Sequence, residues 1–151
     1  MKHQKIVFVC SGNTCRSPMA EAAFRKELKR RKISWYTIQS AGVNAREGSP
    51  MNPEAQKALS EAKIPFSKTF KSRLLTPKIV EDSIAVICMT RDLCDVIPGK
   101  NVMSIYELAG KEIPDPYGQG IDAYRTTLRY IRECIPTIIS RLGLGVQVDD
   151  T

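Results

Sequence analysis

The chain has 151 residues, five cysteines, one histidine and a net charge of +7. That length suits one domain around one core, and no run approaches the roughly 20 apolar residues of a membrane span. An odd number of cysteines without CxxC spacing argues against a disulfide framework, and with His3 as the single histidine, zinc ligation, a Cys–His pair and a Ser–His pair are all excluded or disfavoured.

Elements follow in chain order. Residues 1–4 lead straight into an apolar strand, Lys5–Cys10, with no leader ahead of it, so the expected compartment is the cytoplasm. Pro18 is expected at the first position of a helix running to about Lys32, with Ala20, Phe24 and Leu28 inward. Its basic end, Arg25–Lys32, reads as a solvated face suited to the negative end of the helix dipole, with nucleic acid not expected as a partner. Trp35–Ser40 reads as a second strand stopped by Ala41-Gly42, followed by a loop over residues 43–53 and a short helix, Pro53–Ala62.

Lys68–Ser72 reads as a short strand or plain loop, and Thr76-Pro77 caps a helix to about Asp82. Ser83–Met89 is a buried strand, a helix follows from Arg91, and Val102–Ile105 is a weak strand. The last helix starts near Gly120 with Tyr124, Leu128, Ile131, Ile135, Ile138 and Leu142 as its stripe, and Pro136 removes one of its hydrogen bonds. Residues 1–142 form the expected domain and 143–151 a loose tail. Alternating strands and helices predict an α/β fold: one doubly wound parallel sheet of about four strands, helices on both faces, ligand beyond the carboxyl ends of the strands.

Chemistry concentrates at Cys10-Ser11-Gly12-Asn13-Thr14-Cys15-Arg16-Ser17-Pro18. A strand delivers a cysteine into a short loop, and a helix opens behind it. Loop amides and a helix N-terminus bind the oxygens of a tetrahedral dianion. Arg16 can grip two such oxygens at once. The same electropositive surroundings suit a cysteine thiolate as nucleophile. A phosphate ester also needs its leaving oxygen protonated, and Asp115, stiffened between Pro114 and Pro116 and followed by Tyr117-Gly118, is the candidate acid.

Cys-x5-Arg-Ser-Pro near the N-terminus, Ser40-Ala41-Gly42 after the second strand and Asp115-Pro116-Tyr117-Gly118 before the last helix resemble the low-molecular-weight protein tyrosine phosphatase family over residues 5–142. The resemblance implies phosphorylated proteins as substrates, no cofactor or metal, and a monomer or weak dimer. By the same resemblance Cys10 attacks phosphorus to form a phosphocysteine, Arg16 binds the equatorial oxygens, and Ser17 donates to the Cys10 thiolate. Ser11, Gly12, Asn13, Thr14 and Cys15 complete the phosphate loop, with Asn13 in an unusual backbone conformation held by Ser40. Asp115 serves as acid and then base, Tyr117 walls the substrate slot, and Cys15 either pairs reversibly with Cys10 on oxidation or packs the loop as a small buried residue.

Two alternatives share this frame. Thr14, where many relatives carry a bulky apolar residue, resembles the bacterial protein arginine phosphatase branch, although that branch often has phenylalanine at the place of Tyr117. Cys88 and Cys94 sit where thioredoxin-coupled arsenate reductases keep a cysteine relay, but Pro18 and Asp115–Gly118 depart from that pattern. Phosphotyrosine is the first reading of the substrate.

Overall fold

The computed structural model describes residues 4–145. Four parallel strands lie in the order β2-β1-β3-β4: β1 Gln4–Cys10, β2 Tyr36–Gly42, β3 Ser83–Cys88 and β4 Val102–Ser104. The chain steps from β1 outward to β2, then back across β1 to β3 and on to β4. Right-handed crossovers therefore put successive connections on opposite faces of the sheet. This doubly wound arrangement is the one expected from the alternating pattern.

The central strands β1 and β3 read as unbroken apolar runs because both of their faces are covered. Ile6, Val7, Val9, Val86, Ile87 and Cys88 are all fully buried. Helix α1 (Arg16–Arg30) packs on β1 and β2 and against the last helix, α6 (Ile121–Arg141). Phe24 meets Phe8 edge to face at 5.2 Å, a favourable aromatic geometry. Helix α2 (Pro53–Glu61) rests on α1 and α6, while α3 (Pro77–Glu81) and α4 (Arg91–Cys94) pack on β3 and β4.

Several boundaries differ from expectation, each for a local reason. Helix α1 begins at Arg16, two residues before Pro18, because proline tolerates any position in a first turn that lacks intrahelical acceptors. Strand β2 continues through Ala41 and Gly42, which pair with Val9 and Cys10. The helix expected from Arg91 is a single turn. A further short helix, α5 (Ile105–Ala109), follows β4 where the strand was expected to continue through Ile105. Ser104 and Glu107 form a capping box there, and Gly110 ends it at φ 71°. Lys68–Ser72 is loop, and pairing with the sheet begins only at the single bridge from Leu74 to Gly42.

Helix α6 runs through Pro136 without a break. Of its predicted stripe, Leu142 is only half-buried, whereas Tyr124, Leu128, Ile131, Ile135 and Ile138 are in the core. The tail expected from Gly143 starts as a packed turn: Leu144 is buried and its amide donates to the Ile139 carbonyl at 3.0 Å. The rest of that tail, residues 146–151, and His3 lie outside the described residues. Among the described residues no helix is long and apolar enough to cross a membrane.

Candidate active site

Reversal of strand order between β1 and β3 opens a crevice beyond their carboxyl ends, where ligands bind in open α/β sheets. Cys10 ends β1 there. Residues 11–15 wrap around its sulfur and run into α1, whose N-cap is Cys15. The sulfur accepts from the Asn13 amide at 3.2 Å and lies 2.9 Å from the Ser17 hydroxyl. Asn13 Nδ2 donates to that same hydroxyl oxygen at 2.8 Å. The single Ser17 proton is therefore free to point at Cys10, its nearest acceptor, rather than at the Ala41 carbonyl 3.4 Å away.

Asn13 stands in the left-handed region at φ 57°, a conformation that asparagine tolerates better than most residues but that needs support. Its side chain is fully buried and fully bonded. Nδ2 donates to Ser17 and to the Ser40 hydroxyl at 3.0 Å, and Oδ1 accepts the Arg73 amide at 2.8 Å. Its carbonyl accepts the Ser72 hydroxyl at 2.9 Å.

The loop is turned inside out relative to an ordinary turn. Its carbonyls face away from the crevice and are taken by neighbouring chain: Val43 donates to Cys10, Asn44 to Ser11 and Asn52 to Thr14, at 3.1, 2.9 and 2.9 Å. No acceptor among the described residues engages the amides of Gly12, Thr14 or Cys15. Successive unpaired N–H groups beside a helix N-terminus form an anion nest. Gly42 makes the close fit possible: a Cβ there would meet the Ser11 carbonyl oxygen and sit 2.9 Å from the Asn13 amide nitrogen.

Arg16 is 7% exposed, anchored through Nη1 to the Ile113 carbonyl at 3.1 Å. Ile113 is itself held by its amide on the Met89 carbonyl at 2.9 Å, at the end of β3. The next turn carries Asp115, whose carboxylate lies 3.9 Å from Arg16 Nη2 and accepts the Tyr117 amide at 3.1 Å in an Asx turn. Asp115 and Tyr117 are both exposed, Tyr117 to 70%, at the mouth of the crevice. Residues from β1, α1 and the segment before α6 thus meet in one place. The arrangement can hold a tetrahedral anion against a sulfur nucleophile, with a carboxylate at the rim.

The model of low molecular weight phosphotyrosine protein phosphatases matches residues 5–148. The chain belongs to that family. The phosphatase is similar to the protein-arginine-phosphatase of Bacillus subtilis, 33% identical over 91% of this chain and 95% of the relative. It is similar also to the low molecular weight protein-tyrosine-phosphatase PtpB of Staphylococcus haemolyticus, 31% identical over 84% of this chain and 91% of that one. Among solved structures, a mutant of the arginine phosphatase YwlE with a phosphorylated active-site serine superposes at a TM-score of 0.84, with 32% identity over 93% of this chain and 96% of that chain. The protein is a hydrolase of the protein-phosphatase type.

Three further cysteines have distinct surroundings in the phosphatase. The Cys15 thiol lies 3.2 Å from the Tyr124 hydroxyl, with both side chains in the core. Burial pushes the Cys15 thiol up, only partly offset by that hydrogen bond. Cys88 is fully buried and burial drives its thiol far above the ordinary range, while Cys94 is half-buried and raised for the same reason. A relay that runs through thiolates is poorly served by such sites.

Sequence reasoning placed the loop, Ser40 and Asp115 together and missed the outer ring that holds them. Ser72 and the Arg73 amide, the Ile113 carbonyl and Tyr124 carried no signal for the site, because each is far from the loop in sequence or acts through its backbone, and Glu21, which accepts the Ser40 hydroxyl at 2.8 Å, looked like one more charge on the first helix. Gly42 had one, as part of the Ser40-Ala41-Gly42 motif.

Proposed function

We propose that this phosphatase hydrolyses phosphotyrosine on cytoplasmic proteins through a phosphocysteine at Cys10. The observation that carries the reading is the pair of donors, Asn13 N–H and Ser17 hydroxyl, on the Cys10 sulfur inside a ring of unpaired amides. Donors on the sulfur stabilise its negative charge before attack and again when it leaves. In the first step the sulfur attacks phosphorus, the phosphorus–oxygen bond to the leaving group breaks, and Asp115 gives its proton to the departing oxygen. In the second step the Asp115 carboxylate takes a proton from water, the water oxygen attacks phosphorus, and inorganic phosphate leaves as the Cys10 thiolate is regenerated.

Arg16 and the amides of Gly12, Thr14 and Cys15 neutralise the equatorial oxygens in both steps. Tyr117 offers a flat wall for an aryl ring.

Phosphoarginine is a second reading, favoured by Thr14. Its hydroxyl leans over Gly12, 3.8 Å from where a side chain at that position would begin. There it offers a polar partner to a guanidinium, and the segment over 44–51 brings no aromatic residue to the slot. The deciding measurement is kcat/KM on matched phosphotyrosine and phosphoarginine peptides, for the wild type and Thr14→Ile. Preference for phosphotyrosine that sharpens in Thr14→Ile supports the first reading. Preference for phosphoarginine that Thr14→Ile abolishes replaces it with the second.

A further inference from the structure

Strand β2 is an edge strand, and its open side forms one wall of a cavity of about 270 Å³, separate from the crevice that holds Cys10. Arg25, Lys71 and Arg73 line this cavity with one carboxylate, Glu21, together with Ser40 and Phe70. Arg25 is shared: it pairs with Glu21 at 3.0 Å and donates to the Ile38 carbonyl at 2.6 Å. Lys71 and Arg73 have no carboxylate partner among the described residues. An excess of cations around a polar hollow is the electrostatic signature of an anion site.

A continuous chain of hydrogen bonds leads from this cavity to the nucleophile. Arg25 pairs with Glu21, the Ser40 hydroxyl donates to Glu21 at 2.8 Å, and Asn13 Nδ2 donates to Ser40 at 3.0 Å. Asn13 then reaches the Cys10 sulfur through its own amide and, by way of Ser17, through its side chain. Arg73 belongs to both ends, since it lines the cavity and its amide holds Asn13 Oδ1.

We propose that this cavity is a second oxyanion site, taking inorganic phosphate or a phosphate monoester, and that its occupancy is felt at the catalytic loop. A dianion seated on Lys71 and Arg73 draws Arg25 partly away from Glu21. Glu21, less neutralised, then accepts more strongly from Ser40. A more polarised Ser40 hydroxyl is a better acceptor for Asn13, whose strained backbone sets the loop. Strengthening of this kind passes along hydrogen-bonded chains in modest increments.

Kinetics separate this site from the reaction centre. Phosphate bound at Cys10 competes with substrate and leaves kcat unchanged, whereas phosphate in the cavity changes kcat at saturating p-nitrophenyl phosphate. The expected result is a saturable rise of about twofold in the maximal rate, driven by added phosphate or, where p-nitrophenyl phosphate itself fills the cavity, seen as upward curvature of the rate against substrate, and both effects are absent in Lys71→Glu. Purely competitive inhibition together with hyperbolic dependence on substrate, a fall in kcat, or an activation that persists in Lys71→Glu overturns the proposal. Amide NMR reads the cavity without turnover, so it tests the site whichever substrate the enzyme prefers. Titrated phosphate should shift residues 37–39 and 70–71 with a saturation curve distinct from that of residues 11–15, and Lys71→Glu should lose the first set alone. A single curve for both sets overturns it. O-phosphoserine in the same titration distinguishes the sources: binding to the same residues assigns a phosphate ester, and binding of inorganic phosphate alone assigns the free anion.

Discussion

At the scale of single residues, the site is a set of donors aimed at one sulfur and at the space in front of it. Cys10→Ser keeps the fold and the nest but replaces the thiolate with a poor nucleophile. It should bind phosphate in a calorimetric titration while showing no steady turnover of p-nitrophenyl phosphate. Asp115→Asn removes the proposed proton donor and should lower kcat roughly 100- to 10,000-fold for substrates with poor leaving groups, the range of general acid catalysis. Its loss should be smaller with p-nitrophenyl phosphate, whose leaving group needs little protonation. Gly42→Ala tests the close approach of β2 to the loop. A methyl group there collides with Ser11 and Asn13 backbone, so activity should drop by about 100-fold, as for a displaced catalytic group. An unchanged far-ultraviolet dichroism spectrum would show the sheet intact, and retained activity would contradict the packing argument.

The elements explain which parts of the chain could be read in advance. The basic end of α1 is a solvated face, as its position at the negative end of the helix dipole suggested: Glu27 accepts from Arg30 and Arg31 at 2.6–2.8 Å. The hydrogen bond from Arg30 outweighs the cost of burial and, with that from Arg31, holds the Glu27 carboxyl down at about 2. A depressed carboxylate contributes stability that is complete above its unfolded value of 4.5 and vanishes as pH falls through about 2. Glu27→Gln should therefore lower the unfolding free energy from urea titration at pH 7 by less than about 1 kcal/mol, with the difference from wild type shrinking below pH 4.5. Pro136 is exposed within the unbroken α6 and costs that helix a hydrogen bond. Pro136→Ala should raise the thermal midpoint, corresponding to about 1–3 kcal/mol; a lower midpoint would mean the ring has a packing role. Helix α5 escaped notice because one turn has no period to detect, whereas the equally short α3 was announced by Thr76-Pro77 at its cap. Helix α5 was legible only through Ser104 and Glu107 as a capping box, a signal that the apolar run before it obscured.

Over the whole molecule, the sequence by itself determined the alternating fold, the cysteine loop, the arginine six positions on and the acid before the last helix. Those features are local: a buried strand needs an apolar run, a helix needs its spacing, and a nest needs consecutive residues. Only the tertiary structure decided how the loop is held. Ser72 and Arg73 reach Asn13 from about 60 residues away, and Ile113 reaches Arg16 from 97. Tyr124 reaches Cys15 across 109. Such contacts are made by backbone groups and by side chains of ordinary type, so no motif announces them. They exist because a doubly wound sheet gathers the carboxyl ends of its central strands at one crevice. That gathering holds in place an inward-facing ring of amides that would be strained if left alone. The same folding joins Glu21 and Arg25 on α1 to Lys71 on a distant loop, and so places a second cluster of cations at the far end of the hydrogen bonds that support Cys10.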